Sequence, residues 1–320
     1  MGLEPLWKFV FKQIKERGVD SICLPKRLKC KWDLPQCVAL WLIVGRYRLC
    51  PGEGVGDVAG EWGGVRLMYR QGGHVCRWRL EKRCPTPLSI EEPPGGPVFI
   101  IDLSLWGEHT EGEKHELVEQ ILTSLYVVRS VWWDGALWIT NTPEEFIRLF
   151  QLHARGLVHR VNIRRDFPPL RNPVVLDPEG DCVFTEETAA AHSEFIIGGI
   201  IDKERTAKSA TKRLAQLLGV EKRCRIELRG SVVGVPDRIN KIVEIVLYTL
   251  MGNSLEKSIL RAQAKRDRVY RLMWEIQKRS TRRPDGTLAI SREALNEANW
   301  LGASEEEVLT ALKKVKAVVT

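Results

Sequence analysis

The 320-residue sequence lacks any run of 18 apolar residues, which is about the shortest stretch that crosses a bilayer as a helix. The longest apolar candidate, around residues 37–44, stops at Gly45 and Arg46. Near the N-terminus, Lys8 and Lys12 interrupt the apolar residues, which favours an amphipathic helix over a secretory signal peptide. We therefore expect a cytoplasmic protein with no membrane-spanning segment.

The sequence also lacks the short motifs of several large enzyme classes. It contains no GxxxxGK[ST] phosphate loop, no HExxH metal motif and no GxSxG nucleophile elbow, and no GxGxxG opens a helix after a strand. These absences argue against nucleotide hydrolysis, zinc-dependent hydrolysis and serine hydrolase chemistry.

Cysteine spacing argues against a zinc site. Six of the eight cysteines fall in the first 95 residues, and no pair has CxxC spacing, so we expect no bound metal. Asn and Gln together number only 15, a scarcity typical of thermophiles. Because hyperthermophiles use disulfides inside the cell, we expect some of these cysteines to pair, although the spacing does not say which.

Positive charge exceeds negative charge, but unevenly. The net charge is +8, with +6 in residues 1–95, −3 in residues 96–252 and +5 in residues 253–320. A basic balance favours an anionic partner, most often nucleic acid, although thermophile surfaces are also rich in Lys and Arg. The charge pattern predicts a core flanked by two regions that bind a polyanion.

Composition and periodicity divide the chain into three regions. Residues 1–95 predict a small α+β domain, and the Pro- and Gly-rich segment 90–97 is typical of a linker. Residues 96–252 alternate strands and helices, which predicts an α/β layer with a parallel sheet. Residues 253–320 predict an all-helical domain, with a long basic helix over 254–279 and two shorter helices after it.

The most informative segment is the predicted strand 195–202. Gly198 and Gly199 interrupt its apolar residues, and strand glycines often mark a close approach of backbone or ligand. Asp202 follows at the carboxyl end, where ligands bind in open α/β sheets. This pattern predicts a ligand site, with a simple glycine bulge and a capping aspartate as the alternative.

A second segment, 228–240, forms a Gly-, Ser- and Val-rich loop between a predicted strand and a predicted helix. Its glycines allow close backbone approach, and Pro236 suits the first turn of the helix. Alone, the segment is also compatible with an ordinary strand–helix connection.

Together these segments resemble the tRNA purine-9 N1-methyltransferases, a branch of the SPOUT methyltransferases, and the archaeal members most closely. The resemblance covers about residues 97–250. It departs from the family at 234–238, where many members have a basic, threonine-containing stretch. The residues that carry it are Ile101-Asp102-Leu103-Ser104, Glu119-Gln120-Ile121, Val175-Leu176-Asp177-Pro178-Glu179-Gly180, Ile197-Gly198-Gly199-Ile200-Ile201-Asp202 and Ile239-Asn240-Lys241-Ile242-Val243-Glu244-Ile245.

The resemblance implies a parallel sheet whose C-terminal part threads into a trefoil knot that lies wholly within 97–250, and it implies that S-adenosylmethionine binds in the loops of this knot. Asp202 matches the family's proposed catalytic aspartate, and Asp102 is a second candidate carboxylate, with a capping role as its alternative. The cofactor contacts that it implies are Ile197, Gly198, Gly199, Leu228, Gly230, Ser231, Gly234, Val235, Ile239 and Asn240.

A tRNA substrate would explain the basic flanks, since the folded core of tRNA is recognised through shape and phosphate. Residues Arg160, Arg164 and Arg165 form a further basic strip on the core. We expect a monomeric enzyme. The predicted RNA contacts are Arg77, Arg79, Lys82, Arg83, Gln120, Arg129, Arg164, Arg165, Arg261, Lys265, Arg266 and Arg268, with Arg282 and Arg283 as further candidates.

The prediction is therefore methylation of N1 of the purine at position 9 of tRNA, with adenine favoured and guanine also considered. Two alternatives remain: a non-catalytic RNA-binding protein on the same scaffold, and a methyltransferase that acts on another RNA. The glycines and Asp202 favour an enzyme over the first alternative, because a carboxylate stands at the ligand-binding edge.

Overall fold

A computed structural model describes residues 2–26, 28–201 and 209–320 of the chain. The chain forms two compact units: Met1–Asn172 with Ser193–Thr206, and Pro173–His192 with Ala207–Thr320. Asp202 lies outside the described residues. Strands and helices are numbered below in chain order.

The N-terminal part of the first unit contains two helices and three strands among its described residues. Helix α1 (Leu6–Glu16) buries the apolar stripe Leu6, Val10, Phe11 and Ile14, whose spacing puts them on one helical face. Its other elements are β1 (Ser21–Leu24), α2 (Leu34–Ile43), β2 (Arg48–Trp62) and β3 (Val65–Glu81).

Strands β2 and β3 form a long antiparallel hairpin, and β1 pairs in parallel with β3. Gly63 and Gly64 connect the two long strands with φ of 58° and 74°, the left-handed conformation that tight hairpin turns require. The apolar run around residues 37–44 belongs to α2, and β3 is a strand of 17 residues.

All eight cysteines are paired in four disulfides. The expectation that some would pair is thus confirmed, and in three of the four bonds the partners are 34 to 53 residues apart in the sequence. Three disulfides lie in the N-terminal region and join Cys23 to Cys76, Cys30 to Cys37 and Cys50 to Cys84. The fourth joins Cys182 to Cys224.

The rest of the first unit contains parallel strands in the order β6 (Asn162–Ile163), β5 (Leu137–Thr140), β4 (Val98–Asp102) and β9 (Glu194–Gly198). Phe99, Ile100 and Ile101 are fully buried in β4, as the continuous apolar run of a central parallel strand leads one to expect. Helices α3 (Glu111–Arg129) and α4 (Glu144–His153) accompany these strands, with one-turn helices at Trp106–Glu108 and Asp134–Ala136.

The second unit has three parallel strands, in which β10 (Arg223–Arg225) lies between β7 (Pro173–Leu176) and β8 (Cys182–Val183). Its helices in this region are α5 (Glu186–Ala191), α6 (Ala210–Leu218) and α7 (Ile239–Leu250). Parallel strands with helices in both units confirm the predicted α/β class.

The prediction that residues 253–320 are helical throughout is wrong. Helices α8 (Leu255–Ala262), α9 (Lys265–Arg279), α10 (Arg292–Ala298) and α11 (Glu305–Val315) are joined by a small sheet of β11 (Thr281–Arg282), β12 (Leu288–Ile290) and β13 (Ala317–Val319). A turn over 283–287, with Gly286 at φ 83°, pairs β11 with β12.

The long helix predicted over 254–279 is interrupted after Ala262. Gln263 has an extended ψ of 133°, and the carboxylate of Asp267 accepts a hydrogen bond from the amide of Ala264, which begins α9 as a new helix. Apolar residues of α9, α10 and α11 then pack with Ile290 around one core. Within the described ranges, the chain has no helix that is long and apolar enough to cross a membrane.

Candidate functional site

Asp102 ends β4 and is almost completely buried, at 1% exposure. Its Oδ1 accepts a hydrogen bond from the amide of Ser104 at 2.9 Å. Its Oδ2 accepts from the hydroxyl of Thr140 at 2.7 Å and from Nδ2 of Asn141 at 2.8 Å. Three donors hold the side chain of Asp102 in one orientation, and the bond from Thr140 connects the carboxyl ends of β4 and β5.

Gly199 packs tightly behind this carboxylate. Its amide donates to the carbonyl of Asp102 at 2.9 Å. A Cβ atom at Gly199 would lie 2.7 Å from that carbonyl oxygen and 2.6 Å from Cδ2 of Leu103. The glycine that the sequence attributed to ligand approach is thus required for the contact between β9 and β4.

His109 anchors the chain directly before Asp202. Its Nε2 accepts a hydrogen bond from the amide of Ile201 at 2.9 Å, and its Nδ1 lies 3.2 Å from the carbonyl of Trp106. These partners assign the proton to Nδ1 of a neutral imidazole. A buried histidine with two backbone partners therefore sets the position of the last described residue before the predicted catalytic aspartate.

The second predicted cofactor segment begins with a compact turn. The amides of Leu228 and Ser231 each donate to the other's carbonyl, at 2.8 and 3.3 Å. Arg229 and Gly230 between them have φ of 49° and 74°. Gly230 is exposed, and a Cβ atom there would meet open space, so this tip of the loop can approach a ligand closely.

Residues beyond 250 hold the other side of this loop. Nη1 of Arg271 donates to the carbonyls of Leu228 at 2.6 Å and Val233 at 3.2 Å. Nε2 of Gln263 donates to the carbonyl of Gly234 at 2.8 Å. Two side chains outside the predicted segment 97–250, those of Gln263 and Arg271, thus hold the carbonyl groups of this loop in place.

Helix α9 lies so close to Gly234 that it leaves no room for a side chain there. Gly234 has φ of 81°, and a Cβ atom there would lie 2.5 Å from Cβ of Arg271 and 3.1 Å from the carbonyl of Asp267. Val235 next to it is half-buried, while Ile239 and Asn240 are buried at the start of α7. Ile197 is buried in β9, and Gly198 ends that strand.

The motif at 175–180 has a structural explanation. Asp177 is 3% exposed, its Oδ2 accepts from Arg223 at 2.8 Å, and its Oδ1 accepts from the amide of Glu179 at 2.9 Å. A Cβ atom at Gly180 would lie 2.7 Å from the carbonyl carbon of Cys224. These contacts bind the turn after β7 to β10.

The predicted RNA contacts of the N-terminal region lie on the surface. Arg77, Lys82 and Arg83 are exposed, and none has a carboxylate partner among the described residues. Arg79 is half-buried and pairs with Glu81 at 2.9 Å. Three cations at one end of β3 are thus available to a phosphate.

Arg129 is a correction, because it is fully buried. Its Nε and Nη2 bond the two carboxylate oxygens of Asp134 at 2.7 Å each, and Nη2 also donates to the carbonyl of Val158. Gln120 is also buried, with its Nε2 bonded to Glu116 at 3.2 Å. Neither side chain presents a surface to RNA here, since α3 directs both towards the protein interior.

Other predicted RNA contacts of the first unit are exposed but paired. Arg164 pairs with Asp166 at 3.1 Å, and Arg165 pairs with Glu144. Exposed pairs of this kind contribute at most about 1 kcal/mol, so a phosphate can compete for either arginine. The guanidinium of Arg160 bonds Glu92.

In the C-terminal region, Arg261, Lys265 and Arg266 are exposed, whereas Arg268 is not freely available. Nε and Nη2 of Arg268 both bond Oε1 of Glu307, at 3.0 and 2.7 Å. These hydrogen bonds keep the pKa of Glu307 below its ordinary value although burial acts in the opposite direction. Arg282 is exposed and Arg283 half-buried at the turn of the small sheet.

Sequence reasoning missed His109 and Arg271. A single histidine and one arginine in a basic helix carry no local signal, because their roles depend on backbone groups 92 and 43 positions away. Among the described residues, no group of three His, Cys, Asp or Glu side chains is arranged to hold a metal ion.

Comparisons with known proteins point to one family. A tRNA (adenine(9)-N1)-methyltransferase from Sulfolobus acidocaldarius is 31% identical over 306 residues, which cover 95% of this chain and 96% of that protein. A tRNA (guanine(9)-/adenine(9)-N1)-methyltransferase from Thermococcus kodakarensis is 29% identical, over 97% of this chain and 88% of that protein. No protein-family model matches the chain.

The fold agrees with this likeness. The crystal structure of Sulfolobus acidocaldarius Trm10 in complex with S-adenosylhomocysteine matches with a TM-score of 0.75 and 29% sequence identity. The match covers 98% of this chain and 99% of that one, so it includes both basic flanks as well as the strand–helix region.

Proposed function

Because the chain belongs to the tRNA (purine-9) N1-methyltransferase family, we propose that it transfers a methyl group from S-adenosylmethionine to N1 of the purine at position 9 of tRNA. The observation that carries the proposal is the likeness to a structure bound to S-adenosylhomocysteine over 98% of the chain. S-Adenosylhomocysteine is the demethylated form of this methyl donor, as expected for a protein of this activity.

The family's two named relatives differ in the base. One is named for adenine alone and the other for guanine and adenine. The adenine enzyme is slightly more similar, at 31% against 29% identity, and we propose adenine as the favoured base. Guanine is the second base to test.

The base determines what Asp202 must do. N1 of guanine carries a hydrogen, so its methylation needs a proton acceptor, and a positioned carboxylate contributes roughly 10²–10⁴-fold. N1 of adenine has a free lone pair and needs no deprotonation. With adenine, we propose that Asp202 orients the exocyclic amine and stabilises the cationic product.

Asp102 is proposed as a positioning carboxylate. Its oxygens already accept hydrogen bonds from Ser104, Thr140 and Asn141, so it is poorly suited to abstract a proton. Its role is to hold the ends of β4 and β5, against which Gly199 packs.

The segment 228–240 has an exposed tip at which the methyl donor can bind. At the exposed tip, Gly230 leaves open space, and Ser231 beside it is half-buried, so backbone and hydroxyl groups can reach a polar ligand. When bound, S-adenosylmethionine supplies an electrophilic methyl group. We propose that Ile197, Gly198 and Gly199 contact S-adenosylmethionine through their backbone groups.

The trefoil knot, the three-region division and the monomeric state belong to this proposal. The SPOUT resemblance of residues 97–250 supports the knot, and the charge reversal along the chain supports the division. We propose that tRNA binds through exposed cations of both flanks and of the strip that contains Arg164 and Arg165.

Mass spectrometry of tRNA after incubation with the enzyme and S-adenosylmethionine tests the function. We expect 1-methyladenosine at position 9, using matched transcripts with adenine, guanine or uridine there. The uridine transcript is the control and should remain unmodified. Methylation at another position, or of another RNA in preference, would assign the chain to a different substrate.

Asp202→Asn tests the catalytic aspartate. It should reduce turnover steeply on a guanine-9 transcript and less on an adenine-9 transcript, with a flatter pH profile for adenine. Wild-type turnover on both would remove Asp202 from the mechanism.

Absence of S-adenosylmethionine binding to the wild-type protein by calorimetry, with tRNA binding intact, would instead favour the non-catalytic RNA-binding alternative.

A further inference from the structure

Arg271 is the most completely enclosed cation of the C-terminal region. It lies in the middle of α9, is 1% exposed, and contacts the faces of Trp274 and Trp300, with its guanidinium 4.6 and 5.4 Å from their ring centroids. A buried charge is costly unless it is paired and fully hydrogen-bonded, so its partners indicate its purpose.

One set of partners neutralises the charge. Nε of Arg271 donates to Oε1 of Glu275 at 2.8 Å, and Glu275 also pairs with Arg279. Burial tends to raise the pKa of Glu275, but hydrogen bonds from Arg279, Trp300 and Arg271 bring it below its ordinary value. Glu275 is therefore a carboxylate that balances the buried guanidinium.

The second set of partners is the loop itself. Nη1 bonds the carbonyls of Leu228 and Val233, which stand on either side of the exposed turn at Gly230. The carbonyl of Leu228 also accepts the amide of Ser231, at 3.3 Å, and Nη1 adds a shorter bond from a charged donor. A charged donor makes the bond stronger than a neutral one would. Gln263 adds a third bond to the carbonyl of Gly234.

We propose that Arg271 is a positioning residue for the cofactor, which holds the segment 228–235 in the conformation that binds S-adenosylmethionine. The inference rests on the proposed function and deepens it, because it makes α9 a part of the cofactor-binding machinery. The fork of the guanidinium reaches Glu275 and both carbonyls at once, which the single ammonium group of a lysine does not.

The test compares three full-length variants by calorimetric titration with S-adenosylmethionine. In Arg271→Lys the positive charge remains beside Glu275, but the fork is lost. In Arg271→Met combined with Glu275→Gln, both charges are removed, so that no unpaired carboxylate stays buried. Arg129→Lys is the matched control, because it alters a fully buried arginine that bonds Asp134 and not the loop.

We expect the dissociation constant for S-adenosylmethionine to rise about tenfold to a hundredfold in both Arg271 variants. The tRNA dissociation constant at fixed salt should change less than threefold. Arg129→Lys should lower the thermal midpoint but leave the cofactor dissociation constant within about twofold of wild type. At saturating cofactor, the Arg271→Lys enzyme should regain most of its kcat, so that the defect appears in KM for the cofactor.

Circular dichroism and the unfolding midpoint establish that each variant is folded. A folded Arg271→Lys variant with wild-type cofactor affinity would overturn the inference and leave the proposed function intact. An equal loss of affinity in Arg129→Lys would also overturn it, since the effect would then follow stability alone. If the wild-type protein itself binds no S-adenosylmethionine, the proposed function fails before this inference is reached.

Discussion

The two basic flanks carry similar excess charge but use it differently. Residues 1–95 have a net charge of +6 and residues 253–320 have +5. In the N-terminal flank, three disulfides cross-link the chain, and cations such as Arg77 and Arg83 stay at the surface. In the C-terminal flank there is no cysteine, and Arg268 and Arg271 form internal ion pairs.

The difference shows that net charge is a poor measure of an RNA-binding surface. A guanidinium that bonds Glu307 or Glu275 inside the protein contributes to the sum but does not reach a phosphate. The N-terminal flank therefore offers more available charge than its small advantage in net charge indicates. The C-terminal flank instead places its charge against a loop of the proposed site.

The N-terminal flank also forms hydrogen bonds with the rest of the first unit. The amide of Leu6 donates to the carbonyl of Val131 at 2.8 Å, and Nε2 of Gln36 donates to the carbonyls of Arg129 and Trp132 at 3.0 Å each. Deleting residues 1–95 would leave these buried groups unpaired. Point variants are therefore a cleaner test of this flank than a truncation.

The largest effect should come from the disulfides. Replacing Cys50 and Cys84 together with serine opens a loop of 34 residues and should lower the free energy of unfolding by about 3–4 kcal/mol. The pair Cys30 and Cys37, separated by 7 residues, is the matched control and should cost about 1 kcal/mol less. Chemical denaturation with and without reductant measures both. An identical midpoint under reducing conditions would show that the N-terminal flank does not depend on these bonds.

The second effect concerns the contact between Arg271 of the C-terminal flank and Gly234 in the loop 228–235. Gly234→Ala should destabilise the protein by about 3 kcal/mol, because its Cβ atom meets Arg271 at a positive φ. Gly230→Ala also has a positive φ but meets nothing, so it should cost only about 1 kcal/mol. Thermal or urea unfolding separates the two. Equal losses would mean that α9 does not restrict the loop.

The third effect is on RNA affinity. Replacing Arg77, Lys82 and Arg83 together with alanine should weaken tRNA binding roughly tenfold or more at low salt and reduce the slope of log K against log salt by about 2. The triple replacement of Arg261, Lys265 and Arg266 should do less, because Lys265 pairs with Glu306 and Arg261 contacts Tyr248. Filter binding across a salt series checks this order. A larger effect from the C-terminal triple would reverse our comparison of the flanks.

The smallest effect is a pH dependence in the C-terminal flank. Hydrogen bonding to Arg268 lowers the pKa of Glu307 in the folded state, so this pair stabilises the fold above the unfolded pKa of about 4.3. That contribution is lost as the pH falls through the folded pKa. Glu307→Gln should thus lower the thermal midpoint at neutral pH.

The difference between Glu307→Gln and wild type should begin to shrink as the pH falls below the unfolded pKa of about 4.3, and it should close below the folded pKa, where wild type also loses the pair. Glu53→Gln in the N-terminal flank is the control, since Glu53 is exposed and has no ion-pair partner among the described residues. Its midpoint should follow wild type at every pH. A constant gap between Glu307→Gln and wild type down to pH 3 would contradict the proposed pairing.

Much of the α/β region could be read from local pattern. The strand β4 and the helices beginning near Glu111 and Glu144 follow from hydrophobic periodicity and capping, which depend on neighbours along the chain. The C-terminal sheet could not be read in this way. Its strands have two or three residues each, and β12 and β13 pair across α10 and α11.

The same limit applies to the candidate site. Gly199 and Gly234 stand out in the sequence, but the sequence suggested ligand approach, whereas their neighbours are Asp102 and Arg271. Arg129 appeared as one basic residue among many, and its burial follows from a partner five residues later that a charge count does not single out. Residue type indicates that a glycine or an arginine is constrained, but only its surroundings show what constrains it.

By itself, the sequence determined the fold class, the family and the type of reaction, because these depend on periodicity and on short motifs that survive in linear order. Only the tertiary structure decided which arginines are buried in internal ion pairs and which cysteines pair. It also decided that α9 contacts the loop at 228–235. The physical reason is that hydrogen bonds and ion pairs form between groups that are close in space. Cys23 and Cys76 are 53 residues apart, and Leu228 and Arg271 are 43 apart, so no local pattern connects them.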